Sequence, residues 1–340
     1  TYERQVQFND NNMNLQNRIE LLQHLQKYLI EQGGEWQNTR ARAFAHNAWF
    51  TPEFIDLAVK NICTEFLQKE KLEQWAKHYH LDDNVGGKNI GIVMAGNIPL
   101  VGFHDFLCVF ASGHKQTVKL SSKDDILFKH MAEKLAQWEP ETDRRIQFAE
   151  ILKGCDAYIA TGSNNSARYF EQYFSKYPAI IRRNRTSVGI LTGNETTGEL
   201  DNLSDDVHQY FGLGCRNVTQ LFVPDGYDFV PLLNSFNKYR HFADHHKYKN
   251  NYDYQLSIAL LNNMYYMTNG STLMIEDNAI FSAISRLNYS YYKDPEELIK
   301  VLSGNDDIQC ITGNTGVPFG LVQRPGLLDY ADGVDCMQFL

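Results

Sequence analysis

The sequence predicts an α/β protein in which an N-terminal helical segment precedes mostly parallel sheets. Apolar residues recur at helical spacing near the start of the chain, between Leu15 and Ile30 and again from Phe54 to Phe66. From residue 89 onward, short apolar runs bounded by turns alternate with helical patterns. Because strands that alternate with helices favour parallel pairing, we expect an α/β architecture with ligands at the carboxyl ends of its strands.

Length and composition limit the kind of protein. The 340 residues suffice for two domains with sizeable cores, and 43% hydrophobic with 21% charged residues is ordinary for a globular chain. A net charge of −9 argues against a nucleic-acid binder. No apolar run is long enough to span a membrane, so we expect no membrane partner. The six cysteines are spread singly without a CxxC pair, which favours a reducing, cytoplasmic location.

The elements follow from the pattern in chain order. Residues 1–80 are predicted to be helical, with a break at Gly33-Gly34 and a new helix at Thr51-Pro52, where Thr is a suitable N-cap and Pro suits the first turn. Predicted strands lie at 89–94, 116–120, 157–160, 187–191, 218–223, 271–275 and 283–290. Predicted helices lie at 100–112, 124–138, 166–174, 203–211, 227–239, 254–264 and 294–303. The tail from residue 318 is expected to be loop plus a short strand.

One cysteine stands out by its neighbours. Cys215 follows a Gly-x-Gly turn, between a helical pattern and a strand-like run. Glycines there let a substrate carbonyl approach both the sulfur and the backbone N–H, as a thiolate nucleophile with an oxyanion hole requires. The competing interpretation is a buried cysteine packed at a turn.

Three strand-to-turn transitions precede Cys215, and each carries a polar residue. They are Gly96-Asn97-Ile98-Pro99, Val118-Lys119-Leu120-Ser121-Ser122 and Thr161-Gly162-Ser163. Singly, each has an ordinary explanation: turn conformation for Asn97, a solvated surface charge for Lys119, and a helix N-cap for the Thr-Gly-Ser turn.

Together, and followed by Gly212-Leu213-Gly214-Cys215, these segments resemble the motif set of the aldehyde dehydrogenase superfamily over residues 90–340. The resemblance implies two Rossmann-like lobes with an N-terminal helical segment. It implies that Cys215 is the nucleophile and that the Asn97 amide helps form the oxyanion hole. It further implies that Lys119 contacts the adenine-side ribose, and that Thr161, Gly162 and Ser163 lie beneath the pyrophosphate.

The resemblance also implies a domain division. We expect a helical segment at 1–80, a nucleotide-binding domain at 81–178, a catalytic domain at 179–315, and a tail at 316–340 that returns to the first lobe. The family associates through a projecting hairpin, for which this chain is short, so a homodimer is the largest assembly expected.

One departure from the family concerns the general base. Hydrolysing members carry a glutamate 34 residues before the cysteine, where this chain has Ile181. Without that base an acyl-enzyme is expected to resist water, which suits acyl exchange with a thiol such as coenzyme A. The nearby Arg182, Arg183 and Arg185 are candidate ligands for a substrate phosphate, with surface charge as an equal alternative.

A second departure concerns the cofactor. The family's NAD-preferring members place a glutamate three residues after the lysine, where this chain has Ser122 followed by Lys123. Loss of the carboxylate and a lysine able to pair with a 2′-phosphate favour NADP(H), although Ser122 could equally cap the next helix. The glutamate expected near residues 279–281 for the nicotinamide ribose is missing, and Glu276 is the nearest.

This combination is most similar to the acyl-CoA reductase branch, of the kind found in bacterial bioluminescence. It implies NADPH-dependent reduction of an acyl-CoA to an aldehyde, with coenzyme A as leaving group. An acyl-phosphate reductase and an inactive binding or scaffold protein on the same fold stay open as alternatives. His241 and His245 are four residues apart and would share a helix face, as metal ligands can. No metal site is expected there, because no catalytic glutamate follows the first histidine and the neighbouring residues are cationic.

Overall fold

Two sheets organise the computed structural model, which describes residues 13–81 and 87–340. The first sheet has five parallel strands in the order β3-β2-β1-β4-β5. Its strands are β1 (Asn89–Val93), β2 (Lys115–Lys119), β3 (Ile146–Phe148), β4 (Ala157–Thr161) and β5 (Ala179–Arg182). The strand order reverses at β1, which leaves a crevice at the carboxyl ends of β1 and its neighbours, where such sheets bind ligands.

Helices of the N-terminal segment cover one side of this sheet. They are α1 (Leu15–Glu31), α2 (Gly34–His46), α3 (Pro52–Asn61) and α4 (Lys69–His78), with a π-helical turn at Ile62–Phe66 between the last two. As predicted, Thr51 caps α3 by accepting a hydrogen bond from the Phe54 N–H, and Pro52 occupies the first turn. The fully buried Leu22, Leu25 and Leu29 of α1 pack in the same core as the first sheet.

Four helices connect the strands of the first sheet: α5 (Phe103–Ser112), α6 (Ile126–Trp138), α7 (Glu141–Arg145) and α8 (Asn164–Phe174). Helix α5 is buried along its whole length, and its side chains pack against α1 and α6. Helix α8 buries only Ala167 completely, so its aromatic side chains are left partly open beside the sheet.

The second sheet has six strands in the order β11-β6-β7-β10-β9-β8. They are β6 (Thr186–Ile190), β7 (Val218–Pro224), β8 (Met267–Thr268), β9 (Leu273–Glu276), β10 (Arg286–Tyr292) and β11 (Ile308–Thr312). All pairs are parallel except β8 with β9. Its helices are α9 (Thr197–His208), α10 (Val230–Ser235), α11 (His246–Leu261) and α12 (Pro295–Ser303). The last helix, α13 (Cys336–Phe339), packs against α5 and adds Cys336 and Met337 to the core of the first sheet. The predicted α/β fold class with parallel sheets is confirmed.

Several parts of the chain differ from the prediction. Strands β5, β8 and β11 are not among the predicted strands. Strand β11 pairs with β6 through an irregular register between Ile308 and Ile311. The tail forms a 3₁₀ turn at Ala331–Gly333 and the short helix α13, so the short strand predicted there is wrong for the described residues. Asp335 explains the helix, because its carboxylate caps it by accepting from the Met337 and Gln338 N–H groups.

The tail lies against the N-terminal helices and α5. Tyr330 accepts a hydrogen bond from the Trp75 indole at 3.1 Å, and the Tyr79 hydroxyl donates to Asp335 at 2.6 Å. The change from the first sheet to the second falls between Arg182 and Thr186, a few residues after the expected boundary at 178/179. The division into domains stays a prediction.

A buried ion pair joins the end of β5 to α5 and the tail. Arg182 donates to the Asp105 carboxylate at 2.5 Å and contacts the Cys336 sulfur at 2.8 Å, and both charged side chains are more than nine-tenths buried. The neighbouring carboxylate of Asp105 raises the pKa of Arg182 against the opposing effect of its burial, so the guanidinium stays charged. Removal of one partner would leave the other as an uncompensated buried charge.

We predict that Arg182→Met lowers the free energy of unfolding by about 3–5 kcal/mol, the usual cost of breaking a buried pair from one side. Arg183→Met is the matched control, because Arg183 pairs with Glu171 on the surface. Its urea concentration at half-unfolding should hardly change. Urea denaturation followed by tryptophan fluorescence measures both. Equal midpoints for the two variants would contradict a structural role for the Arg182–Asp105 pair.

Candidate active site

The loop that carries Cys215 starts with an unusual backbone. After α9 ends at His208, Tyr210, Phe211 and Gly212 lie in the left-handed region at φ of 55°, 58° and 73°. Aromatic residues rarely adopt that conformation, and surrounding structure must hold them in it. Packing does so here, because Phe54 of α3 contacts both rings at centroid distances of 5.3 and 5.0 Å. The helix predicted to run to Phe211 therefore stops three residues earlier.

A buried amide closes the loop on its other side. Asn217, fully shielded from solvent, accepts from the Gly214 N–H at 2.8 Å. Its own N–H groups donate to the Gln209 and Asp206 carbonyls at 2.8 and 3.1 Å. Asn217 thus satisfies the backbone that α9 leaves open and fixes the path of Gly214-Cys215-Arg216. Sequence reasoning missed this role, although an asparagine just after a Gly-x-Gly-Cys turn is suited to bind local backbone.

The structure brings the Asn97 turn to the Cys215 loop. The Asn97 amide donates one N–H to the Leu213 carbonyl at 2.7 Å, two residues before Cys215. A side chain at Gly214 would meet Ile98 at 3.4 Å, so the two turns are in close contact. An asparagine amide has two N–H groups, so Asn97 can be held by Leu213 and still offer a donor to a substrate oxygen.

The segment after β2 supports the Asn97 turn from below. Leu100 has a φ of 57°, and its N–H donates to the buried Asp124 carboxylate at 2.6 Å. A Cβ at Gly96 would lie 2.6 Å from the Ser121 side chain, which only glycine permits. Burial raises the pKa of Asp124 to about 7. These contacts tie the turn after β1 to the turn after β2.

Cys215 opens into a cavity of about 160 Å³ between the N-terminal helices, the Asn97 turn and the tail. The lining is mostly apolar and includes Ile62, Phe66, Ile98, Leu100, Val101, Phe103, Tyr210 and Pro325. The cysteine is half-buried. Burial raises the pKa of the Cys215 thiol, and the adjacent Arg216 charge opposes the shift without cancelling it. These surroundings favour the thiol form of Cys215 over the thiolate form that attacks a carbonyl.

Two titratable side chains in this cavity were not anticipated. His104 and Asp329 both contribute to its lining, while Ile181 stands half-buried on β5. The His104 Nε2 lies 3.1 Å from the Leu327 carbonyl, and burial lowers its pKa to about 4, so the ring is neutral. The Asp329 carboxylate accepts from the Gly326 N–H at 2.7 Å. Spacing alone could not reveal them, because they join Cys215 only through tertiary packing.

The three arginines proposed for a substrate phosphate do not form one cluster. Arg182 lies in the buried pair with Asp105, and a phosphate could reach it only by displacing that carboxylate. Arg183 pairs with Glu171 on the surface, and Arg185 pairs with Asp332 at 3.1 Å. The structure therefore gives each guanidinium a carboxylate partner and brings none of them to the cavity lining that includes Cys215.

A second opening lies at the carboxyl ends of β1 and β2, beside α8. Its volume is about 510 Å³, and Lys119 lines it together with the aromatic side chains Tyr158, Tyr169, Phe170, Tyr173 and Phe174. Thr161 ends β4, and Ser163 caps α8 by accepting from the Ser166 N–H at 3.3 Å. Gly162 has no room for a side chain, since a Cβ would lie 2.8 Å from Ser166. An amine, flat aromatic surfaces and a helix N-terminus at one strand edge fit a dinucleotide.

Of the candidate cofactor residues, the lining of this groove includes Lys119 but not Thr161, Gly162, Ser163, Ser122 or Lys123. The Ser122 carbonyl lies 2.7 Å from the His46 Nε2, and the Lys123 carbonyl accepts from the Asn47 amide at 3.2 Å. Their side chains are exposed beside α2. A role toward a 2′-phosphate stays a prediction.

Within the described ranges there is no group of three or more His, Cys, Asp or Glu side chains placed to hold a metal ion. His245 lies 2.9 Å from the Ala48 carbonyl and its ring stacks on Trp49, so it packs between the two parts of the fold. Over the same ranges, no helix has both the length and the apolar character needed to cross a bilayer.

Comparison with known proteins places the fold. No family model and no curated protein matches the sequence. Among solved structures, an NAD-dependent aldehyde dehydrogenase from Sinorhizobium meliloti is similar at a TM-score of 0.66 and 11% identity, over 92% of this chain and 72% of that one. An aldehyde dehydrogenase from Mycobacterium tuberculosis complexed with NAD+ gives 0.62 and 13%, over 91% and 75%.

An aldehyde dehydrogenase from Physcomitrella patens, complexed with its product succinate, is similar at a TM-score of 0.66 and 12% identity, over 87% of this chain and 73% of that one. At such low sequence identities, the structural similarity shows a shared fold and nothing more specific. The chain has the two-lobed aldehyde dehydrogenase fold that the motif set implied.

We predict that the rate of Cys215 alkylation by iodoacetamide rises with pH, and that the midpoint pH of this rise is higher than for a model thiol. The thiolate is the reacting species, and burial raises the pKa of this thiol. Arg216→Gln should move the midpoint higher still, because the Arg216 charge favours the thiolate, whereas Arg216→Lys keeps the charge and should move it less. Peptide mapping of the alkylated fraction against pH measures this, and a midpoint below the model thiol would contradict it.

Proposed function

We propose that the protein reduces an acyl-CoA thioester to an aldehyde with NADPH, through an acyl group carried by Cys215. The observation that carries the proposal is the meeting of Cys215 and the Asn97 turn at one mostly apolar cavity, with Ile181 at the position of the family's general base. The fold similarity to NAD+-complexed aldehyde dehydrogenases supports a nicotinamide cofactor.

In the acylation step, the Cys215 sulfur attacks the thioester carbonyl. The tetrahedral oxyanion is held by the free N–H of the Asn97 amide and by the Cys215 backbone N–H, and removal of one such donor typically costs about 3 kcal/mol of transition-state stabilisation. The carbon–sulfur bond to coenzyme A then breaks. Coenzyme A departs with the proton that Cys215 gives up, so no external base is consumed overall.

For the cofactor, Lys119 and the aromatic groove beside α8 would hold the adenosine, and the α8 N-terminus at Gly162-Ser163 would hold the pyrophosphate. Bound NADPH supplies a hydride to the acyl carbonyl. The resulting tetrahedral oxyanion is bonded through its carbon to the Cys215 sulfur, and the same two N–H donors hold it. The carbon–sulfur bond then breaks, so the aldehyde leaves and the sulfur becomes a thiolate again. Ser122 and Lys123, which lack the carboxylate of NAD-preferring relatives, support the choice of NADPH.

Loss of the acyl group to water is disfavoured in this proposal. Ile181 cannot take a proton. The histidine and the carboxylate that line the cavity each have a backbone partner, the Leu327 carbonyl for His104 and the Gly326 N–H for Asp329. Coenzyme A needs no strong base, because its thiol leaves and attacks as a thiolate.

An inactive binding protein on the same fold is the second candidate, and one observation favours it. Burial raises the pKa of Cys215, whereas activated cysteines usually have a lowered pKa. The two candidates differ in covalent chemistry. An enzyme becomes acylated when thioester and protein are mixed, while a binding protein retains a free thiol.

We predict that NADPH is oxidised when the protein is incubated with an acyl-CoA. The decrease in absorbance of the reduced cofactor measures this oxidation. Cys215→Ser should abolish turnover, and Asn97→Ala should lower kcat roughly 100- to 1000-fold, as expected for a lost oxyanion donor. Cys155→Ser, a buried cysteine at the start of β4, is the control and should keep wild-type turnover.

Turnover by Cys215→Ser at the wild-type rate would reject the assignment. Activity with an acyl phosphate and none with acyl-CoA would favour the acyl-phosphate reductase instead. The thermal unfolding of each variant is the control for folding. If a variant unfolds at the wild-type temperature, its loss of activity is not caused by a loss of the fold.

A further inference from the structure

We propose that the cavity at Cys215 limits the substrate to acyl chains of about six carbons. The inference rests on the proposed function, because it takes Cys215 as the acyl acceptor. It adds the size class of the acyl group, which neither the motifs nor the fold determine.

The volume of the cavity sets the limit. Its volume is about 160 Å³, and it is open to solvent on one side. An apolar protein cavity of about 150 Å³ accommodates one benzene molecule, which has six carbons. The side chains around Cys215 therefore leave room for an acyl tail of similar size, and a longer tail must displace part of the wall.

One wall of the cavity comes from the N-terminal helices. Ala58 of α3 and Ile62 and Phe66 of the π-helical turn line it, and each is buried. Phe66 lies nearly parallel to Phe103, with centroids 6.4 Å apart, and stacks on His104 at 5.0 Å. This aromatic stack belongs to the core of the first sheet and is extended by Tyr330 of the tail, which lies 5.2 Å from His104, so packing on several sides holds Phe66 in place.

The tail closes the cavity on the opposite side. The Asn61 amide donates to the Gln323 carbonyl at 3.1 Å, and Arg324 pairs with Glu65 at 2.7 Å. Arg216 donates to the Val322 carbonyl at 3.4 Å from the Cys215 loop. Three contacts thus connect the tail to the helices and to the nucleophile loop, and the wall cannot move without breaking them.

Burial of each methylene in an apolar site stabilises binding by a factor of about four, until the space is filled. Beyond that length, each added carbon disrupts packing or stays in water. Acylation should therefore rise with chain length to a maximum and then fall, rather than reach a plateau.

Acylation without cofactor tests the proposal by intact-protein mass spectrometry, with saturated acyl-CoAs from acetyl to palmitoyl. The second-order rate constant should be greatest near hexanoyl-CoA and fall by about tenfold or more by lauroyl-CoA. Phe66→Ala should move the maximum to octanoyl or decanoyl, and Ala58→Val should move it to butanoyl. Phe128→Ala removes an equally buried ring away from the cavity and should keep the wild-type maximum.

The outcomes separate this inference from the proposed function. A rate constant that stays level or rises through palmitoyl overturns the size limit while Cys215 acylation stands. An unchanged maximum in both Phe66→Ala and Ala58→Val overturns the role of this wall, and Ala58→Val decides alone if Phe66→Ala does not fold. No acylation by any thioester overturns the proposed function itself.

Discussion

The site depends on the buried amide of Asn217. Helix α9 ends with open backbone groups, and the next residues include two aromatics in a left-handed conformation. The Asn217 amide accepts a hydrogen bond from the Gly214 N–H and donates to the Gln209 and Asp206 carbonyls. One side chain therefore satisfies the backbone groups at the helix end and fixes the conformation of the loop. A buried unsatisfied group costs about 1–3 kcal/mol, so alternative loop paths are excluded. Cys215 consequently faces a cavity rather than the hydrocarbon core.

The cavity is a product of three separate parts of the chain. The turn after β1 supplies Ile98 and Pro99, which follow Asn97, the second sheet supplies Cys215, and the N-terminal helices with the tail supply the apolar wall. A hydrogen bond from the Asn97 amide to the Leu213 carbonyl and another from the Asn61 amide to the Gln323 carbonyl connect these parts. Chemistry at Cys215 and selection of the acyl group thus take place in one cavity, while Lys119 lines a separate opening.

Local signals predicted the parts that local physics decides. Apolar runs bounded by turns predicted the parallel strands, Thr51-Pro52 predicted the start of α3, and Gly-x-Gly-Cys pointed to the loop. The pairing of Arg182, a candidate phosphate ligand, could not be predicted because its partner Asp105 lies 77 residues away. His104 and Asp329 escaped notice for the same reason. Strand β11 was missed since its irregular register obscures the alternation.

In the proposed reaction the Cys215 sulfur, and no other cysteine, accepts the acyl group. Tandem mass spectrometry of the digested protein, after brief exposure to hexanoyl-CoA in the absence of cofactor, measures this directly. We expect a hydroxylamine-sensitive acyl group on Cys215 alone, although burial raises the pKa of its thiol, because Cys215 is the cysteine that lines the cavity beside the Asn97 turn. An acyl group on Cys310 or another cysteine, or a fully unmodified Cys215, would contradict it.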